Sequence, residues 1–456
     1  MSATEYGLIG HPLGHSLSPF LHHELLTAAG LADEYHLFDL DPAEMPVNLP
    51  ELLLRTGGIN CTIPYKEAII PFLAGLDESA ARIGSVNTVS QGIGYNTDDE
   101  AFRKVCPLSR GDNVLLLGAG GISRTMAFAA AEAGARLWIY ARRPEQAKLL
   151  AAAVRDTCQD HGPACSITCP ESLSDWEEQR HREGGWIVLN GTPLGMWPET
   201  GGLPLPAEDL DACRLVFDTI YNPVATRLVL AARSRGIPAS GGLDMLFHQA
   251  LKAEQIWHPD DVFPENTLVV IRSKLARAIL HQFPLALVLT GYMGCGKTTV
   301  GHLLASGLDL PFVDLDEVIA HESGRTIPDI FTEDGEPSFR ALERSFLLRE
   351  LDCGHSMVLA SGGGTLVTPE ALELVRRQAA LILFLDASAD QIMQRVKNGE
   401  GRPMIEHRSR EHLLTLYEQR RPLYLAGADL VVPADGKPDE VAERIALELG
   451  FGGEIK

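Results

Sequence analysis

A complete phosphate-loop motif lies in the second half of the chain, at residues 291–298. It matches the pattern G-x-x-x-x-G-K-[ST] in full, with an apolar run at 285–289 before it and a helix-like stretch at 300–305 after it. In that context backbone N–H groups can cradle phosphate oxygens, Lys297 can reach the terminal phosphates, and Thr298 can hold Mg²⁺. The motif predicts a nucleotide site, which we assign to the following residues: Gly291, Gly294, Gly296, Lys297, Thr298 and Thr299.

A second glycine-rich turn, 118–121, lies much earlier in the chain. The buried run 114–117 precedes it, helix-like sequence at 125–133 follows it, and 137–140 is the next predicted strand. This order predicts half of a dinucleotide-binding fold, although Ser123 stands where the usual G-x-G-x-x-G pattern has its third glycine.

Two arginines, Arg142 and Arg143, follow the second strand of that unit. NAD-binding folds place an acidic residue there for the ribose hydroxyl, whereas arginines suit the 2′-phosphate of NADP. The pair therefore predicts NADP. The alternative is a pair of solvated surface charges.

Composition limits the partners and the location of the protein. The 456 residues carry a net charge of −22, which argues against nucleic acid or an anionic membrane as the main partner, so an anionic substrate needs locally placed basic residues. The N-terminal residues show no basic region followed by an apolar stretch, and no apolar run approaches the ~18 residues of a membrane span. The eight cysteines are scattered. We expect a cytoplasmic protein with reduced thiols and about three domains.

A series of strings in the first half of the chain identifies a family. In chain order they are Gly10-His-Pro-Leu-Gly-His-Ser16-Leu-Ser18-Pro19, Asn60-Cys-Thr62-Ile-Pro-Tyr-Lys66, Gly84-Ser-Val-Asn87-Thr, Asn96-Thr97-Asp98, Gly118-Ala-Gly-Gly-Ile-Ser-Arg124, Asn190-Gly-Thr192 and Gly242-Leu-Asp-Met-Leu-Phe-His-Gln249. This half resembles shikimate dehydrogenase along nearly its whole length. The resemblance implies an α/β substrate domain plus a Rossmann-like NADP domain, and reduction of 3-dehydroshikimate to shikimate with NADPH.

By this resemblance, Lys66 and Asp98 are the catalytic pair. Hydride delivery to a ketone leaves a developing alkoxide that needs a proton and a positive neighbour. Lys66 can supply both, and Asp98 can orient it. Taken singly, a lysine and an aspartate are more often surface charges.

The resemblance also assigns the binding residues. A substrate with a carboxylate and hydroxyls requires small hydroxyl donors and amides, and the substrate positions are Ser16, Ser18, Thr62, Lys66, Asn87, Asp98, Tyr221 and Gln249. The NADP positions are Gly118, Ala119, Gly120, Gly121, Arg142, Arg143, Thr192 and Gly242. For Ser18, which precedes Pro19, capping of a helix is an alternative or additional role.

Three positions depart from the family pattern or bear on its specificity. Asp99 follows Asp98 where the family usually has glycine, so a second carboxylate could repel the first or disturb the turn. Residues 141–143 read Ala-Arg-Arg rather than Asn-Arg-Thr, which loses an amide but adds charge. Serine at position 18, where quinate-accepting relatives often carry threonine, favours shikimate, and quinate dehydrogenase activity remains an alternative.

The second half of the chain resembles shikimate kinase throughout. Besides the phosphate loop, the matching strings are Phe312-Val-Asp314-Leu-Asp316, Phe339-Arg340-Ala-Leu-Glu343, Gly362-Gly-Gly364, Gly401-Arg402-Pro403 and Arg420-Arg421-Pro422-Leu-Tyr424. The resemblance implies a P-loop kinase domain with a parallel sheet that uses ATP and Mg²⁺ to phosphorylate shikimate.

The kinase residues have roles that follow from this resemblance. Asp316 takes up the proton of the attacking hydroxyl, and Arg402, in a lid at 397–408, stabilises the transferring phosphoryl group and contacts ATP. Asp314 is the Mg²⁺ partner of Thr298. Arginines hold a carboxylate in a fork and glycine backbones approach closely, so shikimate is assigned to Asp316, Arg340, Gly362, Gly363, Gly364 and Arg420.

The sequence thus predicts a bifunctional enzyme that makes shikimate and phosphorylates it at the 3-hydroxyl. We expect a substrate domain at 1–101 completed by helices from about 242–280, an NADP domain at 102–241, a linker at 281–284 and a kinase domain at 285–456. A metabolite-sensing regulator of the same domain pair is the alternative from another class. Such a regulator is expected to lose catalytic residues, and these are present here.

Overall fold

A computed structural model describes residues 4–14, 16–158, 165–397 and 410–452. The chain forms two compact units. Unit 1 comprises Met1–Pro193, Pro204–Tyr221 and Ile237–Ile279. Unit 2 comprises Leu194–Leu203, Asn222–Gly236 and Leu280–Lys456. The predicted α/β fold class is confirmed.

The first sheet of unit 1 has six strands in the order β2-β1-β3-β5-β6-β4. Its strands are β1 (Glu5–Gly10), β2 (Glu34–Asp39), β3 (Gly58–Cys61), β4 (Gly75–Leu76), β5 (Thr88–Ser90) and β6 (Ile93–Tyr95). The accompanying helices are α1 (Ser18–Ala29), α2 (Met45–Arg55), α3 (Tyr65–Ala68), α4 (Glu78–Ile83) and α5 (Thr97–Val105), with a 3₁₀ turn at Ile70–Phe72. Strand β5 pairs antiparallel with β3 and β6, whereas β1 pairs parallel with β2 and β3.

The second sheet of unit 1 is entirely parallel, in the order β12-β11-β10-β7-β8-β9. Along the chain lie β7 (Asn113–Leu117), α6 (Gly121–Glu132), β8 (Arg136–Tyr140), α7 (Pro144–Cys158), β9 (Ile167–Thr168), α8 (Leu173–Arg180), β10 (Trp186–Asn190), a 3₁₀ turn at Ala207–Ala212, β11 (Cys213–Asp218), α9 (Arg227–Arg233), β12 (Ala239–Ser240), α10 (Leu243–Trp257) and α11 (Glu265–Gln282). Every residue of β7 and β10 is buried, as expected for parallel strands covered on both faces.

Unit 2 contains a five-stranded parallel sheet in the order β14-β15-β13-β16-β17. Its elements are β13 (Ala286–Thr290), α12 (Lys297–Leu308), β14 (Phe312–Asp314), α13 (Leu315–Ser323), α14 (Ile327–Leu351), β15 (Met357–Ala360), α15 (Pro369–Arg376), β16 (Ala380–Asp386), α16 (Ala389–Lys397), α17 (Arg410–Gly427), β17 (Leu430–Pro433) and α18 (Pro438–Glu448). Helix α14 is kinked at Gly335, whose φ of 80° is not helical.

The connection before β13 is shorter than the predicted linker. Helix α11 continues to Gln282 and β13 begins at Ala286, so His281 and Gln282 of the predicted linker are helical. Apolar residues explain the extension of the helix, because Ile279 and Leu280 are buried on it.

Unit 2 also takes in two segments from the middle of the chain, 194–203 and 222–236. Arg227 on α9 forms an ion pair with Asp429, with 2.9 Å between Nε and Oδ1 and both side chains nearly buried. The indole N–H of Trp197 donates to the carbonyl of Pro284 at 2.8 Å. These contacts attach both segments to the elements that surround the parallel sheet of unit 2.

Among the helices within the described ranges, none is long and apolar enough to cross a membrane.

Close packing at Gly58 gives a test of the substrate part of unit 1. A Cβ at this position in β3 would overlap Nε1 of Trp257, which is buried and donates to the carbonyl of Val89. We expect Gly58→Ala to lower the free energy of unfolding by about 1–3 kcal/mol, because the indole must move. Urea unfolding followed by tryptophan fluorescence measures this change. Gly184→Ala is the control, since a Cβ there meets open space, and an equal loss in both variants would contradict the packing argument.

Candidate active sites

A cavity of about 590 Å³ in unit 1 brings together every substrate residue predicted for the first half of the chain. They are Ser16 and Ser18 at the start of α1, Thr62 after β3, Lys66 on α3, Asn87 before β5, Asp98 on α5, Tyr221 after β11 and Gln249 on α10. Gly242, which the sequence assigned to NADP, also lines this cavity. Residues that lie far apart in the sequence therefore line a single cavity.

Lys66 and Asp98 form a direct ion pair in this cavity. The distance from Nζ of Lys66 to Oδ2 of Asp98 is 2.6 Å, and the two side chains are 24% and 12% exposed. Partial burial strengthens the attraction relative to a surface pair. The carboxylate holds the ammonium group at the cavity wall, which is the arrangement that a proton donor for a bound ketone requires.

The amide of Asn87 is oriented by neighbouring groups. Its Nδ2 donates to Oγ1 of Thr97 at 2.9 Å, and its Oδ1 accepts from the backbone N–H of Thr97 at 2.7 Å. Thr97 is the first residue of α5, so the same helix start fixes both Asn87 and Asp98.

The capping role weighed for Ser18 is wrong. Ser18 is the first residue of α1, Leu17 is the N-cap, and no side chain caps the helix from that position. Instead, Oγ of Ser16 accepts a hydrogen bond from the backbone N–H of Ser18 at 3.2 Å. Pro19 is compatible with this arrangement, because the first turn of a helix tolerates proline.

Two further polar groups shape the cavity. Burial raises the pKa of Tyr221 above its ordinary value of 10.0, so the phenol stays protonated at neutral pH and can donate a hydrogen bond. Asn60 also lines the cavity and was not assigned a role from the sequence. Its Oδ1 accepts from the Tyr35 hydroxyl at 2.7 Å and its Nδ2 donates to Oγ1 of Thr88 at 3.0 Å. Its position shortly before Thr62 in the same string was the available signal.

The glycine turn after β7 leaves room for a cofactor. Gly118 has a φ of 100°, a conformation that favours glycine. A Cβ on Gly120 or Gly121 would meet open space at the first turn of α6. Backbone N–H groups at such a helix start bind phosphate, so the turn fits a pyrophosphate.

Ser123 explains how the turn tolerates the missing third glycine. Its side chain is fully buried, and a Cβ on Gly191 would overlap its Oγ. The glycine that permits close packing is therefore contributed by the strand partner at the end of β10.

The other predicted NADP residues lie near the carboxyl edge of the same sheet. Arg142 and Arg143 follow β8 and are exposed; within the described part of the chain neither guanidinium forms an ion pair. Thr192 follows β10, and its hydroxyl donates to Oδ1 of Asn190 at 2.7 Å. Two exposed arginines without an ion-pair partner fit a 2′-phosphate. The same exposure is also consistent with a solvated pair of surface charges.

The phosphate loop of unit 2 connects β13 to the start of α12. Gly291, Gly294 and Gly296 all have positive φ, which opens the loop and directs backbone N–H groups inward. The Nζ of Lys297 donates to the carbonyl of Gly291 at 2.9 Å. Thr299 follows on the exposed side of α12.

Thr298 and Asp314 are in contact, as the predicted metal site requires. The Thr298 hydroxyl donates to Oδ2 of Asp314 at 2.8 Å. Mg²⁺ prefers oxygen ligands and is often held by one or two protein groups, with water and phosphate oxygens completing the shell. A hydroxyl and a carboxylate beside a phosphate loop fit this ion.

Of the six residues predicted to bind shikimate in unit 2, three line a cavity of about 400 Å³. Arg340, Gly364 and Arg420 line it. Asp316 lies close by, since a Cβ on Gly362 would be 3.0 Å from its Oδ1, and Nη1 of Arg420 donates to the carbonyl of Gly363 at 3.1 Å. A Cβ on Gly364 would overlap the guanidinium of Arg340, so only glycine allows this approach.

Three residues of unit 2 were not assigned roles from the sequence. Glu343 is buried, pairs with the guanidinium of Arg340 and accepts from the Thr365 hydroxyl at 2.8 Å. Arg344 adds a third arginine to the cavity. Arg395 donates to the carbonyl of Cys295 in the phosphate loop at 3.2 Å. Glu343 was detectable, because it stands one helical turn after Arg340.

Arg402, which the sequence assigned to catalysis and ATP, lies outside the described residues, as do nearly all of the predicted lid residues.

Comparisons with known proteins match the two halves of the chain to two different families. The model of the shikimate dehydrogenase substrate binding domain matches residues 8–89, and the model of shikimate kinase matches residues 293–449. The chain is 38% identical over 260 residues to the shikimate dehydrogenase (NADP(+)) of Moorella thermoacetica, covering 55% of this chain and 86% of that protein.

Two other similar proteins support the first match. The shikimate dehydrogenase (NADP(+)) of Symbiobacterium thermophilum is 38% identical over 290 residues, covering 59% of this chain and 95% of the relative. A crystal structure of shikimate 5-dehydrogenase from Thermus thermophilus in complex with NADP(H) and shikimate is 31% identical. It has a TM-score of 0.51 and covers 61% of this chain and 100% of that one.

Proposed function

The chain belongs to the shikimate dehydrogenase family and carries a shikimate kinase domain as well, and from this premise we propose that it catalyses two successive reactions. Unit 1 reduces 3-dehydroshikimate to shikimate with NADPH. Unit 2 transfers the terminal phosphoryl group of ATP to the 3-hydroxyl of shikimate. The domain boundaries expected from the sequence, with the kinase part beginning at 285, are part of this proposal.

The ion pair of Lys66 and Asp98 is the observation that carries the reductase assignment. NADPH, when bound, supplies the hydride that adds to the ketone carbon. Lys66 gives a proton to the ketone oxygen as its negative charge develops. Asp98 holds the ammonium group in place at the cavity, and solvent replaces the proton that Lys66 gives up. The 2.6 Å contact gives this orientation before substrate binds.

Hydroxyl and amide groups bind the substrate around this pair. The cavity presents the hydroxyls of Ser16, Ser18 and Thr62 and the amides of Asn87 and Gln249. These are neutral donors and acceptors that suit a carboxylate and three oxygen substituents on a carbon ring. Asn87 is already held by Thr97, so little conformational entropy is lost when it binds.

The cofactor preference follows from the edge of the parallel sheet. Backbone N–H groups at Gly120 and Gly121 would hold the pyrophosphate, and Arg142 and Arg143 would pair with the 2′-phosphate. Thr192 and Gly242 lie at the same end of the fold as part of the proposed site.

The kinase assignment rests on the acceptor cavity beside the phosphate loop. Arg340 and Arg420 would hold the carboxylate of shikimate, and Asp316 would accept the proton of the attacking hydroxyl. Lys297 would move from the carbonyl of Gly291 to the phosphates, while Thr298 and Asp314 would hold Mg²⁺. The proton would pass from the 3-hydroxyl to Asp316 as the phosphoryl group passes from ATP to the 3-oxygen, and ADP would be the leaving group.

A two-stage assay on the intact chain tests the proposal. Supply 3-dehydroshikimate and NADPH, and follow the loss of cofactor absorbance; then add ATP with Mg²⁺ and identify the product by mass. We expect oxidation of NADPH followed by formation of shikimate 3-phosphate. Oxidation without phosphorylation would contradict the kinase assignment. Tight binding of the metabolites without turnover at either stage would favour a regulator, and faster oxidation of quinate than of shikimate would favour the quinate activity.

Separate loss of the two activities is expected from two lysine variants. Lys66→Ala removes the proton donor and should lower the rate of ketone reduction by about 10²- to 10⁴-fold, with kinase activity unchanged. Lys297→Ala should lower phosphoryl transfer by about 10²- to 10³-fold and leave reduction unchanged. Steady-state assays of both reactions measure this. Lys148→Ala is the control, since that side chain is exposed and pairs with Glu145. Near-normal reduction by Lys66→Ala would show that the catalytic pair is misassigned.

Cofactor selectivity is expected to depend on Arg142 and Arg143. Reversing either charge, in Arg142→Glu or Arg143→Glu, removes a charge-assisted bond worth about 1.5–3 kcal/mol, so kcat/KM for NADPH should fall about ten- to a hundredfold. The value for NADH should change far less, because NADH lacks the 2′-phosphate. Arg110→Glu is the matched control for an exposed arginine of the same unit. Equal losses for both cofactors would rule out the 2′-phosphate assignment.

A further inference from the structure

Four charged side chains of unit 1 form a closed ring next to the catalytic pair. We call it the Asp99 ring, and its members are Arg82 on α4, Asp99 and Arg103 on α5, and Glu132 at the end of α6. The Asp99 carboxylate binds Nη2 of Arg82 and Nε of Arg103, both at 3.0 Å. The Glu132 carboxylate binds Nε of Arg82, and Nη2 of Arg103 at 2.5 Å.

The ring shows how the fold accommodates an aspartate at position 99, where the family usually has glycine. The carboxylate of Asp99 is only 6% exposed and is taken up by two arginines, whereas Asp98 pairs with Lys66. The turn is also intact, because the backbone N–H of Asp99 donates to Oδ1 of Asn96 at the start of α5. The two adjacent carboxylates thus have separate partners.

The ring joins two helices, α4 and α5, that connect to both strings of the catalytic pair. Helix α5 begins at Thr97 and carries Asp98. Helix α4 ends at Ile83, and the segment that follows it is tied to both catalytic strings: the N–H of Val86 donates to the carbonyl of Lys66 at 2.7 Å, and Nδ2 of Asn96 donates to the carbonyl of Ser85 at 2.9 Å.

Helix α6 brings the cofactor side into the ring. It starts directly after the glycine turn proposed to hold the pyrophosphate, and it ends at Glu132. Near its first turn, the guanidinium of Arg124 binds the carbonyl of Ile83. Helices α4 and α6 are therefore linked by one arginine near the beginning of α6 and by the Asp99 ring at its end.

We propose that Asp99 is a positioning residue for hydride transfer. By closing the ring it fixes the helix that carries Asp98 against the helix at whose start the cofactor binds, and this inference rests on the proposed reductase function. Two anions and two cations compensate one another when all four are charged. Without Asp99, Arg82 and Arg103 share one carboxylate and repel each other, so the ring opens and the two helices lose their common anchor.

The expected effect is on the chemical step. Small errors in the approach of two reacting groups lower the rate steeply, so Asp99→Asn should lower kcat for 3-dehydroshikimate reduction about tenfold. The KM values for both substrates should stay within about twofold, since the groups that contact them remain. The primary isotope effect with NADPH deuterated at the transferred position should rise, because hydride transfer becomes more fully rate-limiting. Loss of thermal stability alone would not change that isotope effect.

Matched variants separate the ring from general effects of charge removal. Glu132→Gln changes a residue on α6 rather than on the helix that carries Asp98, yet it removes the other carboxylate of the ring. It should therefore lower kcat and raise the isotope effect in the same way. Glu78→Gln removes an exposed carboxylate 3.9 Å from the same Arg82 and should leave both unchanged. Asp99→Glu should recover part of the lost rate. Kinase activity of each variant checks that unit 2 is unaffected.

Three outcomes would overturn the inference. These are a kcat of Asp99→Asn equal to that of Glu78→Gln, a lower melting temperature with an unchanged isotope effect, and losses in Asp99→Asn and Glu132→Gln that multiply in the double variant. If the four side chains act together as one ring, the kcat of the double variant should instead be no more than about twofold below that of the slower single variant. If Asp99→Asn does not fold, the same comparison of kcat and isotope effect can be made with Glu132→Gln, Arg103→Lys and the double variant of the two. A wild-type chain that does not reduce 3-dehydroshikimate would contradict the proposed function itself, and the inference with it.

Discussion

Parallel pairing of buried strands is the constraint on which both candidate sites depend. Strand β7 pairs with β10 and β8 so that Leu117 lies opposite Asn190 and Tyr140. Because parallel strands end at the same edge of a sheet, the glycine turn after β7, Thr192 after β10 and the arginines after β8 are brought to one side. In unit 2, β13 pairs with β15 and β16 in the same sense, so the phosphate loop and the glycines after β15 meet at one edge.

The ion pair of Lys66 and Asp98 needs more support than the sheet provides. Lys66 lies on a helix of four residues, which is too short to be rigid by itself. Its carbonyl is held by the N–H of Val86, and its ammonium group is held by Asp98, whose helix is capped by Asn96. Three strings that are separate in the sequence thus form one hydrogen-bonded group. This explains why the family resemblance is carried by several short strings rather than by one long one.

Sequence reasoning came closest to the structure where residue types are constrained within a short string. It located β7 and the apolar run that forms β13 closely, and all eight residues that it assigned to the first substrate line one cavity. It was wrong about the cap at Ser18, because the helix begins one residue earlier than that role requires and places Leu17 at the N-cap. Helix boundaries are decided by such small differences in local geometry.

The sequence could not reveal pairings between ordinary charged residues far apart along the chain. Asp99 has many possible partners among 39 lysines and arginines, and only the fold selects Arg82 and Arg103. The ion pair of Arg227 on α9 with Asp429, which lies just before β17, is another example. Glu343 was within reach, since a carboxylate three residues after an arginine on a helix faces it.

The distribution of charge differs between the two cavities, and their proposed chemistry accounts for the difference. Lys66 is the one lysine or arginine among the described residues that line the first cavity, and most of the other polar groups there are neutral. The second cavity has Arg340, Arg344 and Arg420, together with Glu336 and Glu343, which both pair with Arg340. A carboxylate bound beside the phosphates of ATP is repelled by them, and in a cleft with little water this repulsion is strong. In a chain with a net charge of −22, the overall field adds to that repulsion. Local arginines would offset both. In the first cavity the substrate carboxylate would instead meet neutral hydroxyls and amides, and the one lysine would serve the negative charge that develops on the ketone oxygen.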